Sequence, residues 1–247
     1  MGNPVRVKCT ISSILKHDEG VYTVVMRPSG RIPKFKPGQF MHLAVDDFDP
    51  ASGFWPESRV FSIASVDENN CITIVYSVKG KFTARMASCL EKGKQIWVKF
   101  PYGDFIIKAT GLENDIVLVA GGTGISPFVQ YLKTLERDGS RSGTVRLYYG
   151  VRKLRHLLFV PLLRSCAEKN LIELRLWIET AGEKMPADQE TAFGIGRLNI
   201  DRIADECLSL REPVYYLSGP PIMIQSFSSA LSDKGIRKEH IRIDEWE

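Results

Sequence analysis

The sequence lacks any cluster of cysteines. The chain of 247 residues has five, at Cys9, Cys71, Cys89, Cys166 and Cys207, and no two of them lie close together. Zinc sites and plant-type iron–sulfur centres need closely spaced thiolates, so both are excluded and no metal site is expected. An odd, dispersed set is typical of free thiols in a reducing compartment, and we therefore expect a cytoplasmic protein.

Long apolar runs and blocks of like charge are also missing. The apolar stretch at Ile116–Ala120 is far too short to cross a bilayer. Met1–Lys8 enters a strand-like pattern without the apolar segment of a secretory signal. We expect no membrane span, and without a basic run or arm we expect no nucleic-acid partner. The net charge of +4 favours an acidic protein partner or a phosphate-bearing cofactor.

The first half of the chain has the pattern of a small antiparallel β-barrel. Short runs rich in aromatic and β-branched residues alternate with turns that contain proline and glycine. These runs are Val5–Ile11, Val21–Met26, Phe40–Val45, Val60–Ala64, Cys71–Val78 and Ile96–Phe100. Lys81–Leu90 breaks the pattern with apolar residues at helical spacing, which predicts one inserted helix. We assign residues 1–110 to this domain.

The second half has the rhythm of a parallel α/β domain. Asp115–Ala120 is a continuous apolar run, as expected for a strand that is covered on both faces. Strands are predicted at Val145–Tyr149, Leu171–Ile178, Val214–Leu217 and Ile241–Ile243, and helices near Ser126–Glu136, Leu157–Cys166, Ile200–Leu208 and Ile222–Lys234. Ala181–Leu198 has little periodicity and is expected to be a loop. We assign residues 111–247 to a three-layer nucleotide-binding domain.

Two segments of the barrel half carry the chemistry of phosphate binding. Arg59-Val60-Phe61-Ser62 lies in a predicted strand, and an arginine suits a phosphate because its planar fork makes two parallel hydrogen bonds. Gly80-Lys81-Phe82-Thr83 opens the inserted helix, where backbone N–H groups and the helix dipole attract an anion. Pro37-Gly38-Gln39-Phe40 adds a turn into the strand that precedes them.

Two segments of the second half have the context of a nucleotide-binding turn. Gly121-Gly122-Thr123-Gly124 follows a buried strand and precedes a helix, and its glycines permit close backbone approach. Pro127 stands where the strict dinucleotide fingerprint has its third glycine, so the dehydrogenase form of that motif is not matched. Ser218-Gly219-Pro220-Pro221-Ile222-Met223 forms a second elbow from strand to helix.

Together and in this order, these segments resemble the ferredoxin–NADP⁺ reductase superfamily of flavin-dependent electron-transfer enzymes. The resemblance implies a flavin-binding antiparallel β-barrel followed by an α/β NAD(P)-binding domain. It implies FAD or FMN as the bound flavin, with Arg59 on its phosphate, Phe61 against its ring and Ser62 near the atom N5. The flavin-binding set that it implies is Arg59, Val60, Phe61, Ser62, Tyr76, Ser77, Val78, Gly80, Lys81, Phe82 and Thr83.

For the nicotinamide cofactor, NADPH or NADH, the resemblance implies a second set of residues. These are Gly122, Thr123, Gly124, Arg152, Gly219, Pro220 and Met223. The catalytic group that it implies is Ser62, Ser218, Asp244 and Trp246, with Trp246 covering the flavin. Ser218 replaces the usual cysteine, so slower hydride transfer is expected. Basic residues at Arg152, Lys153 and Arg155 favour the 2′-phosphate of NADPH slightly.

We therefore expect a flavin-dependent NAD(P)H oxidoreductase. No general base is needed for hydride transfer, and the histidines form no Ser/His/Asp group. The acceptor must be separate, such as a ferredoxin, a flavodoxin or an oxygenase component. Two alternatives stay open: a reductase of free flavin or a small quinone-like acceptor, and a non-catalytic flavin-binding redox-sensing subunit.

Overall fold

The computed structural model describes residues 3–108, 114–139, 143–180 and 193–245. The chain divides into two compact units, Met1–Ile106 and Ile107–Glu247. Each unit is built on one sheet, antiparallel in the first and parallel in the second.

The first unit is the antiparallel barrel that the sequence predicts. Its strands are β1 (Val5–Lys16), β2 (Val21–Pro28), β3 (Phe40–Ala44), β4 (Ser58–Ser62), β5 (Ser65–Val66), β6 (Ile72–Ser77) and β7 (Gln95–Tyr102). They form a seven-stranded sheet in the order β4-β3-β7-β1-β2-β6-β5. Phe61 of β4 contacts Tyr76 of β6, with 6.1 Å between ring centroids, so the two ends of the sheet curl toward each other.

Alternation along the strands builds the core of the barrel. In β1, Val7, Cys9 and Ile11 are buried, and the residues between them are exposed or half-buried. The inserted helix α1 (Lys81–Cys89) ends one residue before the predicted end. It buries Phe82 and Met86, which lie one turn apart, against the same core.

The second unit is the predicted α/β domain. Its strands are β8 (Ile116–Gly121), β9 (Val145–Val151), β10 (Glu173–Ile178), β11 (Phe193–Ile195), β12 (Val214–Ser218) and β13 (Ile241–Ile243). They pair in parallel in the order β11-β10-β9-β8-β12-β13. The helices are α2 (Ser126–Asp138), α3 (Val160–Glu168), α4 (Ile200–Glu206) and α5 (Pro221–Asp233).

The first strand of this unit lies inside its sheet. Every residue of Ile116–Ala120 has 0% exposure, as expected for a strand with both faces covered. β9 lies on one side of β8, and β12, which comes later in the chain, lies on the other. The strand order therefore reverses between β8 and β12, and ligands of open parallel sheets bind at the carboxyl ends of the strands at such a point.

Three sequence expectations are corrected. The predicted loop Ala181–Leu198 contains the edge strand β11, while residues 181–192 lie outside the described part of the chain. The two-residue strand β5 was not predicted. α3 begins at Val160 rather than Leu157, because Phe159 has a φ of 56° and a left-handed residue cannot continue a helix.

Candidate functional site

The two phosphate-binding segments of the barrel meet at the Arg59 side chain. The Arg59 guanidinium lies 5.1 Å from the centroid of the Phe82 ring, in the first turn of α1. A cation over an aromatic face is attracted to it, so the contact holds Arg59 at this end of the helix. Gly80 and Lys81, which begin the turn, are both exposed. The structure thus brings a cation and a helix N-terminus together within one unit.

Thr83 orders the backbone at the start of α1. Its Oγ1 accepts hydrogen bonds from the N–H groups of Lys79 (2.9 Å) and Gly80 (3.1 Å). The same hydroxyl donates to the carbonyl of Gly80 at 3.1 Å. Because Thr83 is used in this way, the anion-binding capacity of the turn rests on the N–H groups of the first helical residues, which have no partner inside the helix.

Ser62 ends β4 beside a rigid turn. It is 9% exposed and lies opposite Phe40 of β3, and Val60 occupies the same face of β4. The buried Gln39 stabilises the turn before β3. Its Oε1 accepts a hydrogen bond from the Lys36 N–H (2.9 Å), and its Nε2 donates to the Gly103 carbonyl (3.1 Å). The end of β4 is tied to this turn, because the N–H of Ile63, the residue after Ser62, donates to the Gln39 carbonyl at 3.0 Å.

Phe61 and Tyr76 are mostly enclosed in the barrel. They are 8% and 3% exposed. Tyr76 stacks on Tyr22, with centroids 5.1 Å apart, and burial raises the pKa of its hydroxyl well above the ordinary value. The half-buried Ser77 and the more exposed Val78 follow. The predicted contact of Phe61 with a flavin ring stays a prediction.

Glu57 is a charged neighbour of this site that sequence reasoning missed. Its Oε1 lies 3.0 Å from Nη2 of Arg59. The signal was available, because residues two positions apart at a strand start project to the same side.

These residues fit a flavin phosphate. The donor set combines an arginine fork with the N–H groups of a helix N-terminus, and both favour phosphate oxygens. Arg59 remains 54% exposed, so its fork is accessible to a ligand from solvent.

In the second unit, the glycine turn and the Ser218–Met223 elbow lie in direct contact. A Cβ added at Gly124 would lie 2.3 Å from the Ser218 carbonyl oxygen and 2.6 Å from the Gly219 nitrogen. Atoms do not approach this closely, so only glycine lets the turn after β8 reach the end of β12. Gly122 has a φ of +56°, and Thr123 follows it in a short 3-10 turn that leads into α2.

Met223 completes this contact from the first turn of α5. A Cβ at Gly121 would lie 2.8 Å from its sulfur, and one at Gly219 would lie 2.7 Å from its methyl carbon. Pro220 also lies against Gly121. The predicted nucleotide residues on these two segments therefore form one cluster at the point where the strand order reverses.

Arg152 stands apart from that cluster. It follows β9 directly and is exposed. Its carbonyl accepts a hydrogen bond from the Thr180 N–H at 3.0 Å, so the backbone here is fixed by the segment after β10. The position suits contact with the ribose end of a dinucleotide at the carboxyl end of the second strand.

Ser218 and Asp244 form a buried pair. The Ser218 hydroxyl donates to Asp244 Oδ2 at 2.8 Å, and the two residues are 2% and 3% exposed. The Asp244 N–H donates to the Leu217 carbonyl at 2.9 Å, which continues the ladder between β12 and β13. The structure thus joins two of the predicted catalytic residues, whereas Trp246 lies outside the described residues.

Replacing Ser218 with alanine should destabilise the second unit. The buried Asp244 carboxylate would lose one donor, and such a loss costs about 1–3 kcal/mol. We expect the free energy of unfolding in a urea titration to fall by that amount. The matched control is Ser226→Ala, at an exposed serine of α5. This variant should change the free energy of unfolding little. Equal stability of the two variants would show that the hydrogen bond contributes nothing.

The cysteines take no part in these sites. All five are free. Burial raises the pKa of the Cys9 thiol to about 12 and that of Cys166 to about 11, so both stay protonated and unreactive near neutral pH. Within the described residues, no helix combines the length and the apolar character that crossing a membrane would require.

Family models match both halves of the chain. The model for the FAD-binding domain matches residues 6–136, which is more than half of the chain. The model for the oxidoreductase NAD-binding domain matches residues 118–229.

Curated relatives match only over part of their length. The chain is 30% identical over 159 residues to oxidoreductase NAD-binding domain-containing protein 1 of Bos taurus, which covers 58% of this chain and 50% of that protein. It is 27% identical over 216 residues to the ferredoxin reductase component of 3-ketosteroid-9-alpha-monooxygenase from Mycolicibacterium smegmatis, with 85% and 55% covered. The chain thus spans about half the length of these relatives.

A solved structure shares the fold over nearly the whole chain. Cytochrome P450 reductase GcoB from Amycolatopsis superposes with a TM-score of 0.79 at 24% identity, covering 99% of this chain and 71% of that one. This likeness shows the shared fold. The two family models show that the chain belongs to the FAD-binding domain family and, with its oxidoreductase NAD-binding domain, to the ferredoxin–NADP⁺ reductase superfamily.

Proposed function

We propose that the protein is a flavin-dependent NAD(P)H reductase that passes electrons through FAD to a separate acceptor. The observation that carries the proposal is the close approach of Gly124 to the end of β12. A Cβ added at Gly124 would lie 2.3 Å from the Ser218 carbonyl oxygen and 2.6 Å from the Gly219 nitrogen. Such a bare backbone cluster, where the strand order reverses, is what a dinucleotide needs for close approach. Residues 1–110 would hold the flavin and residues 111–247 the nicotinamide cofactor.

We assign tasks to four parts of the predicted site. Arg59 and the first-turn N–H groups of α1 would hold the flavin phosphate. FAD, when bound, accepts hydride from reduced nicotinamide and releases electrons singly or as a pair. Ser62 is fixed at the end of β4 to hydrogen-bond the flavin. The Ser218 hydroxyl is oriented by Asp244, because its proton is used in that hydrogen bond.

For the electron donor we favour NADPH. The segment after β9, from Arg152 to His156, contains three basic residues besides the histidine and no carboxylate. Enzymes that select NADH usually place an acidic residue here for the ribose 2′-hydroxyl, whereas an arginine accommodates a 2′-phosphate. A lower KM for NADPH than for NADH supports this choice, and the reverse order contradicts it.

For the acceptor we propose a ferredoxin, a flavodoxin or an oxygenase component. A relative that is a ferredoxin reductase component of a monooxygenase supports this choice. The dispersed cysteines leave no ligands for an iron–sulfur cluster within these 247 residues, so the acceptor that we propose lies outside them.

The test is NADPH oxidation by the purified protein with each acceptor in turn. A plant-type ferredoxin and a flavodoxin stand for protein acceptors, and free FMN, free FAD and a soluble quinone stand for small ones. Faster turnover with a protein acceptor supports the proposal. A rate set by free flavin favours the flavin-reductase alternative. The ion pair between Arg59 and Glu57 would favour it too, because Glu57 would compete with a flavin phosphate for the guanidinium. If the protein binds flavin but oxidises NADPH with none of these acceptors, the result favours the non-catalytic redox-sensing alternative.

A further inference from the structure

The Arg59 guanidinium already has an anionic and a polar partner in the two residues that precede it. Its Nη2 donates to Glu57 Oε1 at 3.0 Å, and its Nη1 donates to the Ser58 carbonyl at 2.8 Å. Both charged side chains are about half exposed, 54% for Arg59 and 56% for Glu57. They are therefore free to exchange partners with a ligand from solvent.

The position of the Arg59 guanidinium places the Glu57 carboxylate close to the proposed phosphate site. Its contact with Phe82, at 5.1 Å from the ring centroid, holds it at the N-terminus of α1. A phosphate bound there by Arg59 would be within a few ångströms of the Glu57 carboxylate, since both anions would contact one planar fork. Glu57 then competes with the phosphate for donors and also repels it.

We propose that Glu57 is a specificity-determining residue that weakens flavin binding at Arg59 and selects FAD over FMN. The proposal rests on the flavin site proposed above. The terminal phosphate of FMN is a phosphomonoester, with a charge between −1.5 and −2 near pH 7. Each phosphate in the pyrophosphate of FAD has one ester bond and one anhydride bond, and so carries a single negative charge. A neighbouring carboxylate therefore disfavours FMN more.

The test is a titration of the full-length apoprotein with FAD and with FMN, followed by quenching of flavin fluorescence. Glu57→Gln removes the charge and keeps the shape. We expect FAD to bind about five-fold tighter, the factor for one pair of unit charges about 4 Å apart in water, and FMN to gain roughly that factor squared. In 1 M salt both gains should shrink, because the screening length falls to about 3 Å.

Glu68→Gln is the matched control. It removes the same charge from an exposed turn of the same unit, and it should leave both dissociation constants unchanged. Thermal unfolding midpoints near the wild-type value for both variants would exclude a folding effect.

The outcomes separate the two proposals. Tighter binding of both flavins by Glu57→Gln, with the larger gain for FMN, supports the role of Glu57. Unchanged or weaker binding, or equal gains for FAD and FMN, overturns it while the flavin site stands. If neither the wild-type apoprotein nor Glu57→Gln takes up either flavin, the flavoprotein proposal itself is wrong and this one falls with it.

Discussion

Arg59→Ala is expected to purify without flavin and to rebind FAD at least about 100-fold more weakly than the wild type. An arginine fork makes two charge-assisted hydrogen bonds to a phosphate, each worth about 1.5–3 kcal/mol, so their loss raises the dissociation constant by at least that factor. The Arg59 side chain is half exposed, and its contacts are the Phe82 ring, the Glu57 carboxylate and the Ser58 carbonyl. We therefore expect the fold to survive, and the measurement is fluorescence titration of the apoprotein.

Two further variants test whether the loss of flavin binding is specific to the Arg59 guanidinium. Arg27→Ala removes an exposed arginine from β2 and should retain wild-type flavin content. Arg59→Lys keeps the charge but loses the planar fork, so it should bind FAD with intermediate affinity. If Arg59→Ala keeps both the flavin content and the affinity of the wild type, the phosphate does not bind at Arg59.

Gly124→Ala should slow reduction by NADPH about 100-fold while leaving flavin content intact. The added methyl carbon would lie 2.3 Å from the Ser218 carbonyl oxygen and 2.6 Å from the Gly219 nitrogen. Both are backbone atoms, so the glycine turn must move away from the end of β12. A displacement of about 1 Å in a positioning element can lower the rate about 100-fold, and overpacking costs about 1–3 kcal/mol of stability. Stopped-flow measurement of flavin bleaching reports the rate.

The control for this variant is Gly30→Ala. A Cβ at Gly30 meets no atom within 4 Å, so this change should affect neither the rate nor the stability. Wild-type bleaching by Gly124→Ala would mean that the nicotinamide cofactor does not depend on the contact between the two segments.

The sequence predicted the sheets and the positions of the motifs because both depend on local patterns. The run Ile116–Ala120 is apolar throughout, and the structure buries all of it. The glycine turn and the Ser218 elbow each follow a strand, and parallel pairing brings the ends of neighbouring strands to one edge.

What the sequence did not predict depends on partners distant in the chain. The hydrogen bond between Ser218 and Asp244 exists because β13 pairs in parallel with β12, which no pattern within either segment specifies. The edge strand β11 pairs with β10 in a register that sets Gly194 against Trp177, where a Cβ would be 2.7 Å from the indole ring. A three-residue strand has too little alternation to be recognised alone.

Glu57 was missed for a different reason. The resemblance covers Arg59 and the residues after it, and an acidic residue two positions earlier has no part in that pattern. The placement of both side chains, 3.0 Å apart, makes this carboxylate a candidate for tuning the site.

The most direct test of the central claim is an anaerobic titration of the purified protein with NADPH, followed by visible absorbance, with NADH in parallel. The account predicts flavin absorbance bands that bleach on addition of reduced nicotinamide, at lower concentrations of NADPH than of NADH. A protein that carries flavin but is bleached by neither nucleotide would contradict the reductase function. A colourless protein that cannot take up FAD or FMN would contradict the flavin site as well.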